Sequence, residues 1–516
     1  MIRPFSLAAC LAVFPLSAWA QVLEERTDSK LDEGQEKKLE TEIFFETEWH
    51  EFNNLDFRTL DESSDQAILD SDDRNSLAYT GIGLQVGYKF DEQTRFVFGA
   101  SHQGLWGNDQ LGTTSPFGGF VYVNSAFVEF QPKGNYSPVF RLGRQGYNLG
   151  GVPSSVEYVF SDIVDQLHVS LPIPKVGSVE LIPVSITSLA AQDDANFMAF
   201  VGQAQTETFG FRGDRLTRRH GLQFIADEIP GPVDLQVYGF YTDIGALGSG
   251  SDITYEGLLG NFTDNDWVAN FGLRAWADFG PVKPWLSIDA SAGVDRKELV
   301  ANDVDATGYA GSVGAEFETG DEDHGLRAQV AYFQALGPAY ADDGLQFSHG
   351  FVGMKGRHAG GTIASRYLGW HPSSYVGTYG VNHTPHEPAR KSGTRVVEAE
   401  VGYDFGPAEV KAGWWFFQDT GVTELDLDDL DTLTPPFGYA REEYAAEERM
   451  GKVLGQEIDL DVSFDISKHI SFYASGAIFL VGPYYKIETA RVAGDAMGST
   501  DPAMPWGAYA GAQVSF

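Results

Sequence analysis

Charged side chains share one alternation phase along several stretches of this sequence: Glu398 and Glu400; Glu457, Asp459 and Asp461; Arg274 and Asp278. That spacing suits holding and passing on a charged solute, since neither a nucleophile nor a metal set stands among these residues. The eleven histidines are scattered, and His371, His383 and His386 share one stretch without the helical H-x-x-x-H spacing. No G-x-S-x-G nucleophile turn lies between a strand and a helix. Cys10 is the only cysteine, so a disulfide framework, a cysteine metal site and a thiol nucleophile are excluded downstream of it. We therefore expect no enzyme and no cofactor.

The elements that must position the charges are strands. From Trp267 one face reads Trp267, Ala269, Phe271, Leu273, Ala275, Ala277 and Phe279, and the other Val268, Asn270, Gly272, Arg274, Trp276 and Asp278. Val397, Ala399, Val401, Tyr403 and Phe405 alternate with Val396, Glu398, Glu400, Gly402 and Asp404; Ile458, Leu460, Val462 and Phe464 alternate with Glu457, Asp459, Asp461 and Ser463. Period-two patterning over about ten residues makes a strand with one apolar face, long enough to cross a bilayer at a tilt. The apolar face is rich in Ala, Val and aromatics rather than in the large aliphatics of a sandwich core.

Short turns alternate with long polar connections along the chain. Residues 91–93, 132–135, 280–281, 406–407 and 465–468 are short; 53–75, 186–218, 243–265, 369–393 and 418–454 are long. Outer-membrane barrels show this alternation because their periplasmic turns are short and their outer loops long. Just before short turns stand outward-phase aromatics, Phe90, Phe130, Phe279, Phe317, Phe405 and Phe464, as a girdle at one membrane level requires. The chain ends on an alternating strand, 506–516, whose last residue is Phe516. Such an end resembles the signal read by the barrel-insertion machinery.

The first residues fix the compartment. Arg3, the apolar stretch 5–16 and Ala18-Trp19-Ala20 form a signal peptide with a small-x-small cleavage site. The expected organisation is a signal peptide at 1–20, a short periplasmic leader at 21–38 and an all-β transmembrane antiparallel barrel at 39–516. We count about 18 strands, 20 as the alternative, with 345–368 the weakest pair. The barrel belongs in the outer membrane of a Gram-negative-type bacterium, among outer-membrane lipids and lipopolysaccharide. Barrels of this size enclose a lumen that small side chains cannot fill, open as a channel or blocked by loops.

By phase the lumen receives Lys89, Arg141, Arg274, Arg327, Arg366 and Lys411, facing acids that include Glu398, Glu457 and Asp459. Two readings stay open: a cationic ladder for carboxylates or phosphates, or cross-strand ion pairs that satisfy one another. Arg144 shares the outward phase of Phe140 and Leu142, and joins the lumen set only if a bulge intervenes near Gly143. The formal charge of −38 disfavours nucleic acid. Much of the excess lies in 61–73 and 424–431, read as solvated outer loops, and a basic segment at Arg212, Arg215, Arg218, Arg219 and His220 could grip lipopolysaccharide phosphates.

Leu142-Gly143-Arg144-Gln145 followed by Asn148-Leu149-Gly150 is similar to a strand of the alginate-export family of outer-membrane barrels. Gly455-Gln456-Glu457-Ile458-Asp459-Leu460 and Ala477-Ile478-Phe479-Leu480-Val481-Gly482 resemble that family's C-terminal hairpin. The resemblance covers about a tenth of the chain. It implies an 18-stranded barrel passing an acidic polysaccharide or related anion through an arginine-lined constriction. A general diffusion porin and a sealed adhesin-like barrel are the alternatives.

Overall fold

The computed structural model describes residues 39–53, 75–106, 121–150, 157–188, 216–244, 266–295, 304–320, 324–353, 360–367, 393–420, 453–483 and 504–516, with gaps at 135, 158, 338, 341–345 and 349. The expected signal peptide, the leader and most of the long connections lie outside the described residues.

Eighteen antiparallel strands form the wall. They are β1 (Leu39–Asn53), β2 (Asn75–Lys89), β3 (Thr94–Trp106), β4 (Val121–Phe130), β5 (Val139–Asn148), β6 (Ser161–Ile173), β7 (Gly177–Ser188), β8 (Leu216–Ala226) and β9 (Val233–Ile244). The second half comprises β10 (Asp266–Ala277), β11 (Val282–Asp295), β12 (Gly308–Gly320), β13 (Gly325–Ala335), β14 (Thr394–Asp404), β15 (Ala408–Asp419), β16 (Val453–Ser467), β17 (Ile470–Val481) and β18 (Trp506–Ser515). Each pairs with its neighbours in chain order, and β18 returns to β1 with Phe44 opposite Ser515. Ile43 and Phe516 exchange both backbone hydrogen bonds, at 3.1 and 2.8 Å, so the last residue seals the ring and leaves no free sheet edge.

Alternation decides which face meets lipid. Phe271 and Leu273, Val401 and Tyr403, and Ile458 and Leu460 are exposed on the outside, while Arg274, Glu398, Glu457 and Asp459 are buried on the inside. The expected girdle stands outward at the short-turn end, from Phe90 to Phe464, with Phe516 in line. A closed wall with an apolar outer band satisfies its backbone within a bilayer, as only helices and closed barrels can. The fold is that of a closed, membrane-spanning β-barrel.

Among the described residues, the stretch 345–368 adds no wall strands. β13 is followed by two short pieces, Ala339–Tyr340 and Gln346–Ser348, that pair with each other, and by a single π-helical turn at Thr362–Tyr367. The second short piece pairs with Asp305 in the connection between β11 and β12, and the π-helical turn sits against the inner face of β16, so the described wall has eighteen strands.

Candidate functional site

Two in-turned segments occupy the lumen. The first follows β5 and includes Leu149, Gly150, Glu157, Val159 and Phe160. The second follows β13 and includes Phe351, Val352, Ile363 and Ala364. Apart from Val352, which packs with Val268 and Ala306 in a separate small cluster, their apolar side chains are buried against inward-phase residues of the wall, among them Phe240, Phe333, Val396, Trp415, Phe417 and Phe479, in one continuous cluster. The lumen is therefore apolar where these segments pack, whereas the alternation alone points to a wet interior throughout. The signal was present in the run Trp414-Trp415-Phe416-Phe417, where both faces of β15 turn aromatic toward its long-loop end.

Polar wall residues fasten the first segment. Arg274 donates to Glu157 through both terminal nitrogens, at 2.5 and 2.9 Å, and to the carbonyl of Gly150 at 2.6 Å. Asp289 stands 3.7 Å from its Nε, and the Tyr238 hydroxyl donates to Asp289. Gln236 donates to the carbonyl of Leu149 at 2.6 Å, and the buried Arg219 lies over the Phe160 ring at 4.8 Å. Arg274 is 1% exposed. It is a clamp on the in-turned segment, not a rung open to solvent.

Glu457 and Asp459 hold the second segment. The backbone N–H of Thr362 donates to Asp459 at 2.6 Å, and those of Ile363 and Ala364 donate to Glu457, the latter at 2.9 Å. Three donors at the start of a helical turn have no partner within it, and two carboxylates of β16 meet them with charge-assisted bonds. Gly361, at φ +77°, makes the approach possible, because a Cβ there would sit 2.7 Å from the Glu457 carboxylate. Asn270 and Ser291 grip Val352 through its carbonyl and N–H, at 2.7 and 3.1 Å.

The remaining predicted residues line the polar half of the lumen. Arg95 and Arg141 share one carboxylate, Glu129, at 2.7 and 2.6 Å, and Lys89 stands opposite Arg95 on β2. A cavity of about 680 Å³ opens there, lined by Lys89, Arg95, Glu129, Glu40 and Glu42. On the far side the ratio reverses. Lys411 lies between Glu400 at 2.9 Å and Asp461 at 3.7 Å, and Arg327 between Asp404 at 3.0 Å and Glu409 at 3.7 Å. Glu398 accepts from Gln329 at 2.6 Å. A second cavity, of about 360 Å³, opens beneath the π-helical turn, between it and Lys411. Phase reasoning missed Arg95, although it sits in the same alternation as Val97.

One predicted position is corrected, and a second changes only its element. Arg144 faces outward, bidentate to Asp165 of β6 at 3.0 and 2.8 Å, because Gly143 takes a positive φ without shifting the register. Arg366 belongs to the π-helical turn and not to a wall strand. Of the basic segment, Arg212 and Arg215 lie outside the described residues, while Arg219 points in and Arg218 and His220 are exposed.

No family model and no curated protein matches the sequence. Among solved structures the fold is similar to a BenF-like porin from Pseudomonas fluorescens Pf-5 (6% identity, 93% of this chain and 99% of that chain, TM-score 0.44). It is also similar to the outer membrane protein opdK from Pseudomonas aeruginosa (9%, 92% and 99%, TM-score 0.43). A third is OccK2 (OpdF) of Pseudomonas aeruginosa, solved in complex with glucuronate (7%, 93% and 96%, TM-score 0.42).

Proposed function

We propose that this barrel is a channel for small polar solutes, narrowed by its two in-turned segments and carrying a transverse field across its polar half. The observation that carries this reading is a difference in how charge is shared on two nearly opposite stretches of wall, the arginine stretch facing Glu40 and Glu42 of β1 across the same cavity. Two arginines share one carboxylate on β3–β5, while on β13–β16 each cation is shared by two carboxylates. In a lumen walled by low-dielectric protein such charges focus field lines rather than cancel. A solute with separated polar or charged groups is oriented by that field, and bulky apolar solutes are retarded.

Passage of an anion, and of an acidic saccharide in particular, is the narrower form of this reading. Its support is the Lys89, Arg95 and Arg141 group at the short-turn mouth, together with the resemblance of three short motifs to the alginate-export family. Arginine offers carboxylates a two-pronged donor. The acidic β13–β16 wall and the packed segments weigh toward short solutes over a long polymer.

Ion selectivity in planar bilayers tests both forms. Replacing Arg95 and Arg141 together with Gln moves the reversal potential toward cation selectivity and slows uptake of glucuronate-like monoanions into liposomes. Replacing Glu400 and Asp461 with Gln and Asn moves it the other way. Equal selectivity in all three proteins removes the field from the account. Conductance with unchanged monoanion uptake in the arginine variant removes the anion reading alone and leaves a general porin.

A further inference from the structure

The outer surface of β5 and β6 breaks the apolar band. On β10 the outward phase runs Trp267, Ala269, Phe271, Leu273 and Ala275. On β5 it is apolar only at Phe140 and Leu142, and continues as Arg144, Gly146 and Asn148. Phe140 packs against Phe130 of the girdle. Arg144 is four residues further on, which at about 3.3 Å per residue and a tilt of about 40° is roughly 10 Å above that level, within a band about 25 Å tall. Its partner Asp165 lies between Ile163 and Leu167 in the same phase. The Arg144 and Asp165 side chains are 43% and 51% exposed, and Leu142 beneath them is 63% exposed. β5 has ten residues before the chain turns inward at Leu149, against at least fifteen in β1 and β2.

A charged pair facing hydrocarbon at this depth is costly, and intramembrane ionisable groups are found facing protein or water. A short apolar stripe adds thickness mismatch that burial against another barrel relieves. We propose that this wall is an interface between two copies of the chain, related by a two-fold axis along the membrane normal. The pair itself argues for a second copy. Arg144 and Asp165 are side by side at one level, so a two-fold rotation brings Arg144 of each copy opposite Asp165 of the other. The patch is thus complementary to itself, as an isologous contact requires. Leu142 and Leu167 flank the pair with apolar surface, and Gly146 leaves room for close approach.

Thiol cross-linking in cell envelopes tests this, in a Cys10→Ser background that removes the chain's one cysteine. Leu142→Cys and Leu167→Cys, treated with short bismaleimides, should give a denatured band at twice the chain mass; Leu273→Cys, on distant β10, should not. Arg144→Asp in the Leu142→Cys protein should lower the yield at least about tenfold through like-charge repulsion, and Arg144→Asp with Asp165→Arg should restore it. A heat-modifiable band for each variant establishes insertion, with Arg144→Gln as the milder substitute where the reversal does not insert. No doubled band from either patch position overturns the proposal. So does a band at another mass, which would assign the patch to a different protein, or a dimer indifferent to the change at Arg144.

Discussion

Replacing Arg274 with Met should open the channel without unfolding the wall. In the structure this guanidinium makes three hydrogen bonds to the first in-turned segment and faces both Glu157 and Asp289. Met fills the volume of the stem but leaves two carboxylates in a site from which water is excluded. Removing one partner of a buried ion pair costs about 3–5 kcal/mol, mostly the desolvation of the group left behind. The barrel need not absorb that cost. Swinging Glu157 into the aqueous half of the lumen relieves it, so the energy appears as a shift in segment opening of about 10²–10⁴-fold. Single-channel recording should show a larger and noisier conductance, and the Leu149 amide, bonded to the Phe160 carbonyl at 2.9 Å, should lose hydrogen-exchange protection. Arg274→Lys keeps the charge without the fork and should fall between. Conductance and protection unchanged within about twofold would refute the clamp, since the structure offers Glu157 no other described cation.

Other outcomes follow from the same geometry. Leu273→Arg on the lipid face should destabilise the folded barrel by about 2–4 kcal/mol in denaturant titration while leaving ion selectivity unchanged; an altered selectivity would mean that Leu273 reaches the lumen. Glu457→Ala strands the Ile363 and Ala364 N–H groups, at about 1–3 kcal/mol of local stability, and should raise exchange in 360–367 but not at Leu149; matched loss at both would show that the two segments move as one. Without heating, the detergent-extracted protein should migrate faster than its denatured form, because β1 and β18 close the sheet; a denatured position without boiling would deny closure. Tags at 91–93 or 465–468 should be hidden on intact cells and tags at 59–75 or 424–431 accessible, the reverse pattern inverting the assigned orientation.

Strand phase was legible in the sequence because each wall strand has a single apolar face, so Arg274, Glu398, Glu457, Asp459 and Lys411 could be placed inside from alternation alone. What those side chains meet was not legible. Arg274 reads as a solvated rung that could be neutralised at little cost, yet Glu157, more than a hundred residues away in the chain and on no strand, desolvates it. Glu457 and Asp459 read as partners for lumen cations, yet they bind backbone N–H groups, which carry no side-chain signature. Arg366 was misplaced for a related reason: 345–368 is apolar enough to pass for wall strands, and only packing inside the ring distinguishes a filling segment from a wall. Arg144 was readable from phase, and only the bulge allowed for near Gly143 would have turned it inward.

The central claim is that the ring encloses a conducting path narrowed by two fastened segments. Single-channel recording of the wild-type barrel beside Arg274→Met tests it most directly. The account predicts discrete steps for both, smaller in the wild type. A heat-modifiable, inserted wild-type barrel that passes no current, with the variant equally silent, would contradict it and identify the lumen as sealed.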